Sequence, residues 1–336
     1  MPRAVLRRDS EPLQTWADSA TWISGVSTSE ESGRAQGTLV AMSTRHVPSG
    51  RIPDVPATLG VDLASKPKNT AVCIIDWTEP RASIRCLEMD VTDERILELA
   101  REPATVKVGI DAPFGWPEDF VNAVTRYASS GRWPSTDVKR LTSRETDRHV
   151  REVTRRWPLS VSSSWLAYLA IRCANLLTEL AQGKRVDRIG GGLALEVYPR
   201  AALFQWGLTT TGYKRGPGAR QVRVEIVREL REATWLSIAS AQARQLEESD
   251  HLLDALIAAL VARAAALGHT APPQSKLLRA ARLEGWIHLP HTEPIASFQP
   301  WQSPSRRGVL PARTCGRTFG VLRFLGVRDD EQRSQS

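Results

Sequence analysis

TLGVDLASKPKNTAVCIIDWTEPRASIRCLEM, residues 58–89, holds three apolar runs in close succession, and their spacing decides the fold. TLGVDLA is a short apolar run, TAVCIIDW a second, and ASIRCLEM a third that alternates apolar and polar side chains as a half-buried strand does. The polar link of Thr78, Glu79, Pro80 and Arg81 suits an antiparallel hairpin between the second and third. A helix follows, with Thr92 as N-cap, Asp93 and Glu94 in its first turn, and Ile96, Leu97, Leu99 and Ala100 as its buried face. VKVGIDAP then reads as a fourth strand ended by Pro113. A helix between the hairpin and this strand is the crossover that a parallel pairing of strands one and four requires.

Strand, two hairpin strands, helix, strand is how a ribonuclease H-like sheet begins. The expectation is therefore an α/β domain over residues 57–292, a mixed sheet flanked by helices. Residues 117–190 read as a helical insertion, with an N-terminal Pro117, a capping box at Thr142 and Glu145, and an apolar helix around Trp165 to Leu180. GGGLALEVYP supplies a fifth strand, Pro199 opens a helix through Phe204 and Trp206, and residues 219–232 form an amphipathic charged helix. DHLLDALIAALVARAAAL, residues 250–267, is apolar almost all round, so it must be covered on most sides, and Gly268 ends it. Residues 1–56 mix Ser, Thr, Gly, Pro and charges around Trp16 and Trp22 without lasting periodicity and read as a flexible leader. Residues 293–336 read as a basic, largely disordered tail.

The chain has 336 residues, 41% of them hydrophobic and 24% charged, which excludes collagen-like and wholly disordered classes and is ample for a buried core. Its net charge of +8 favours polyanionic partners such as nucleic acid. About half of that excess sits in the last forty or so residues, where Arg306, Arg307, Arg313, Arg317, Arg323 and Arg328 outweigh Asp329, Asp330 and Glu331. Cys73, Cys86, Cys173 and Cys315 show no CxxC or Cys/His spacing, which argues against zinc and fits a reducing compartment. With no apolar leader and no run of about 18 apolar residues, the expectation is a cytoplasmic protein that makes no membrane contact. Oligomeric state is left open.

Asp62 and Asp111 stand at the ends of strands one and four, inside apolar stretches where an unpaired charge is costly. If those strands are parallel neighbours, about 5 Å apart, both carboxylates face one small volume, and a divalent cation relieves their repulsion. An all-oxygen ligand set points to Mg²⁺ or Mn²⁺. Asp250 and Asp254, four apart, share one face of the apolar helix and are candidates to complete the site, as is Glu196 at the end of strand five. Asp250 also suits the start of its helix, with Ser249 before it. Asp62, Asp111 and Asp254 are the candidate catalytic set for hydrolysis by metal-activated water. Arg144, Arg148, Arg151 and Arg155 follow at helical spacing and read either as a phosphate-binding stripe, with Arg144, Arg148 and Arg151 on substrate, or as a solvated face paired with Glu145 and Glu152. The histidines are scattered, and His149 and His251 read as structural.

These motifs resemble, in their order, domain of unknown function family 429, whose members are described as predicted nucleases of the ribonuclease H-like fold. The features are GVDLA with Asp62, GIDAPFGWP with Asp111, RETDRHVR with Arg144, Asp147 and Arg151, EVYPRAAL with Glu196, DHLLDALIAA with Asp250 and Asp254, and EGWIHLP. GIDAPFGWP is similar to the family's IDxPxGLP segment, whereas SKPKN after the first strand departs from the glycine-rich turn of many members. The resemblance implies a metal-dependent nuclease and leaves its substrate open. Two other classes remain. One is a catalytically silent binding module on the same fold, and the other an actin-like phosphotransferase, which GVDLASKPKNTAVCIID also resembles but which needs a second such domain.

Overall fold

Residues 55–301 are described by the computed structural model, so the leader up to residue 54, and the tail beyond Trp301, lie outside the described residues. The first three apolar runs are the strands β1 (Ala57–Asp62), β2 (Ala71–Thr78) and β3 (Arg81–Met89), followed by α1 (Asp93–Ala100) and β4 (Thr105–Asp111). Next come α2 (Glu118–Ser130), α3 (Val138–Thr142), α4 (Glu145–Thr154) and α5 (Leu166–Ala181), the helices of the expected insertion. The chain returns through β5 (Ala194–Glu196), α6 (Pro199–Gln205), α7 (Ala219–Glu232), β6 (Leu236–Ser237), α8 (Ser240–Glu248), α9 (Asp250–Ala266) and α10 (Leu278–Glu284).

One mixed sheet in the order β5-β4-β1-β2-β3-β6 joins the strands. β1 pairs antiparallel with β2 and parallel with β4, and β2 pairs antiparallel with β3, as the hairpin and crossover readings require. Thr92 caps α1 by accepting from the Arg95 amide at 3.3 Å. Alternation along β2 serves two cores. Ala71, Cys73, Ile75 and Trp77 face the side covered by α6 to α9, while Val72 and Ile74 face α1 and α5. α9 is buried along nearly its whole length, which is why its sequence is apolar all round.

Two glycines let α9 come that close. Gly60 of β1 and Gly109 of β4 are register partners, and a Cβ on either would run into the α9 backbone, at Ala255 and Ala259 for Gly60 and at Ala258 for Gly109. The Thr58 hydroxyl donates to the Ala259 carbonyl at 2.9 Å, so α9 runs against the direction of β1 and its first turns lie over the carboxyl end of the strand.

Some local readings give way to tertiary packing. Thr142 closes α3, its hydroxyl donating to the Val138 carbonyl, and does not cap α4. Asp147 does so instead, accepting from the Arg144 amide at 2.9 Å. β6, α8 and α10 carry too little periodicity of their own to stand out from the sequence. Ile295 and Phe298, within the span read as tail, are buried in the α9-side core. Cys73, Cys86 and Cys173 are free thiols. Among the described residues, no helix is long and apolar enough to cross a membrane.

Candidate metal centre

Asp62 and Asp111 are register partners at the carboxyl ends of adjacent parallel strands, so their side chains leave the sheet edge at the same level. Asp254, in the second turn of α9, reaches the same place because α9 lies over the glycine pair two residues earlier in each strand. Each of the three offers a carboxylate oxygen, and these atoms lie within 4.8 Å of one another.

Little positive charge meets them. His251 Nδ1 lies 2.5 Å from Asp62 Oδ2. Asp254 Oδ1 accepts from the Tyr213 hydroxyl at 2.9 Å. Its buried Oδ2 sits 2.6 Å from Lys214 Nζ, close enough for an ion pair yet off the angle of a hydrogen bond. Asp111 makes no hydrogen bond or ion pair among the described residues.

Titration follows from burial together with that imbalance. Burial pushes the Asp254 carboxyl up to about 6; Lys214 opposes the rise and Asp62 adds to it. Asp111 is raised well above the usual carboxylate range by burial, which Lys214 opposes and which Asp62, Asp254 and Glu196 reinforce. Lys214 is raised as well, since Asp254, Asp111 and Asp62 together outweigh burial. Burial acts first on all three groups, and the charge imbalance acts beside it: three carboxylates face a single ammonium, which is held charged while they remain under-neutralised. The Asp62 hydrogen bond raises His251 against the effect of burial.

A family model described as "Protein of unknown function (DUF429)" matches residues 60–276, a span that contains all three aspartates together with Tyr213, Lys214 and His251. The chain belongs to that family. No curated protein and no solved structure matches it. The DUF429 span starts at Gly60, so the glycine that admits α9 and the aspartate two residues later open it together.

Not every sequence candidate joins the cluster. Both Glu196 oxygens are taken by Arg144, at 2.8 and 2.9 Å, and Oε2 also accepts from the Phe114 amide at 3.0 Å. It stands outside the group of three, with both oxygens already paired to a buried cation. Asp250 begins α9 behind the Ser249 cap, which accepts from the Leu252 amide, and its charge complements the helix N-terminus without entering the cluster. The arginine stripe is not one surface. Arg144 is 2% exposed and locked between Asp147 and Glu196, because a guanidinium between two buried carboxylates satisfies both. Arg148 pairs with Glu145 at 2.7 Å, as the solvated-face reading has it. Arg151 is half-buried and makes no ion pair among the described residues.

Sequence reasoning passed over Tyr213 and Lys214, which lie in the loop before α7, where no periodicity marks a functional residue. His251, read from the sequence as structural, instead meets Asp62 at the cluster; its place three residues before Asp254 on the same helix face was the signal that could have found it.

Proposed function

We propose that this protein is a divalent-metal-dependent hydrolase of phosphodiester bonds in nucleic acid, built on a ribonuclease H-like sheet. The convergence of Asp62, Asp111 and Asp254 carries the reading: three carboxylates from three separate elements, under-neutralised and all oxygen, suit Mg²⁺ or Mn²⁺. Two hairpin strands on one side of β1 and parallel strands on the other support the fold assignment.

Asp62, Asp111 and Asp254 would hold the ion. Once bound, it would supply an activated water and neutralise charge on the phosphate. His251 orients Asp62 and is placed to take or return a proton there. Tyr213 fixes the rotamer of Asp254 through its hydroxyl. Lys214, whose side chain is 43% exposed, presents its ammonium at the cluster and gives phosphate a cation to meet.

One observation favours a second reading. Lys214 already sets a positive charge on Asp254, as a stabilising counter-ion does in a catalytically silent module. The actin-like reading needs two sheets of this kind, and the described residues hold one.

The test is cleavage of labelled single-stranded and duplex DNA and RNA with Mg²⁺ or Mn²⁺, comparing wild type with Asp62→Asn. Loss of about a hundredfold or more in the variant is expected from removing a metal ligand. Equal rates in the two proteins, or no cleavage by either with any substrate or ion, would overturn the reading.

A further inference from the structure

Among the described residues, exposed aromatic side chains are concentrated in one part of the chain. Of the six exposed Phe, Tyr and Trp residues among those described, only Phe204 lies outside residues 127–168. The others are Tyr127, Trp133, Trp157, Trp165 and Tyr168, exposed by 50% to 74%. Tryptophan is costly to leave in water, and so many exposed rings in one stretch of chain, with Tyr127 and Trp133 in edge contact at 5.8 Å, mark a contact surface.

The same stretch holds unneutralised positive charge. Residues 126–157 carry nine Lys and Arg against four Asp and Glu. Arg126, Arg132, Lys139, Arg151 and Arg155 make no ion pair among the described residues, although several acidic side chains lie nearby in sequence. An apolar protein partner would not call for that excess of charge, and a polyanion would.

Hydrogen bonds tie this surface to the acidic cluster from two sides. Arg172 of α5 donates to the carbonyl of Ala64, two residues past Asp62, at 2.6 Å, and Tyr168 stands one helical turn before Arg172. Arg156 donates to the Thr211 hydroxyl at 3.1 Å, in the loop that carries Lys214, and Trp157 is its neighbour. Trp157 also lines a cavity of about 620 Å³ with Lys139, Arg140 and Arg148, where Asp137 and Glu145 line it too and Lys139 is the cation without an ion pair among the described residues.

We infer that the helical insertion is a binding surface for single-stranded nucleic acid, with Trp157, Trp165 and Tyr168 stacking on unpaired bases and the free arginines meeting phosphates. Every base has a face that an aromatic ring can stack on, so such a surface needs no particular sequence. It does need bases that are not already stacked in a duplex. This names the substrate class of the centre proposed above and rests on that reading.

Binding is measured without cleavage, by fluorescence anisotropy of labelled single-stranded DNA, single-stranded RNA and duplex DNA titrated with the full chain in EDTA. Wild type is expected to bind one or both single strands more tightly than the duplex, with affinity falling as salt rises. Trp157→Ala and Tyr168→Ala, both on the surface, are each expected to weaken single-strand binding by about fivefold or more and to leave duplex binding unchanged. Far-ultraviolet circular dichroism of each variant checks that the fold is intact. Equal affinity for single strands and duplex, or variants that bind as wild type does, would overturn the proposal. So would concentration-dependent dimerisation that the variants abolish in the absence of any oligonucleotide binding, since a second copy would then own the surface. Intact binding by an inactive enzyme counts against the metal chemistry alone, and cleavage without aromatic-dependent binding counts against this surface alone.

Discussion

Two buried groups of carboxylates lie close together in this molecule, and they are finished differently. Asp147 and Glu196 enclose Arg144, whose guanidinium donates to both, and backbone amides of Arg144 and Phe114 add to the set. Every oxygen in that group has a donor. Asp62, Asp111 and Asp254 share one histidine, one tyrosine and one lysine, and Asp111 has no partner among the described residues. Buried ion pairs matched at each atom hold structure together, whereas a buried cluster left short of positive charge is held ready for something that brings it.

Breaking the closed group should have the largest effect. Arg144→Ala strands two carboxylates in the interior, and a loss of about 3–5 kcal/mol is expected in urea unfolding. A loss below about 1 kcal/mol would mean that the arginine is not the keystone its geometry implies.

The open group should respond to ions instead. Saturating Mg²⁺ or Mn²⁺, at about a hundred times its dissociation constant, should stabilise wild type by about 2.7 kcal/mol and leave Asp111→Asn nearly unmoved, as read by melting temperature. The effect should depend on pH. The folded Asp254 carboxyl, at about 6, lies above its unfolded value of about 3.9. Its contribution to metal-free stability is therefore present below about pH 4 and lost as pH rises through about 6. Metal binding needs the carboxylate form, so the ion-induced rise in melting temperature should grow from about pH 5 to about pH 7.5. An increment independent of pH would dissociate the ion from these carboxylates.

The smallest effect should come from Glu284, at the margin of the closed group. Its two oxygens accept from the first amides of α2 and α4, Glu118 at 2.8 Å and Glu145 at 2.7 Å, so one side chain caps two helices. Glu284→Ala should cost about 1–2 kcal/mol of stability, with metal-induced stabilisation retained. A change in the metal response would show that the two groups are coupled.

Strands β1 to β4 and helices α1, α7 and α9 were legible in the sequence because each carries its own periodicity and end signals. Thr92 and Gly60 to Asp62 are examples. Asp254 was legible as an anomaly, a carboxylate in LLDALIAAL with no helix-end role. Arg144 misled because helical spacing says which residues share a face and not whether that face meets water. Arg144 is not on that face at all: it precedes α4 as its extended N-cap residue, and its side chain turns inward onto a strand end 52 residues further along the chain.

The sequence by itself marked β1, β4 and the helical crossover between them, with Asp62 and Asp111 at the strand ends, since strand pattern and helix-end signals are local; the structure sets the two strands side by side in the register where those aspartates meet. Only the tertiary structure decided which other groups complete that meeting. Asp254 enters because two glycines admit a helix against the sheet, and Lys214 because a loop without pattern closes over its end. Glu196 is withdrawn because a buried arginine claims it. Contacts between distant segments depend on how surfaces fit, and no single segment encodes that fit.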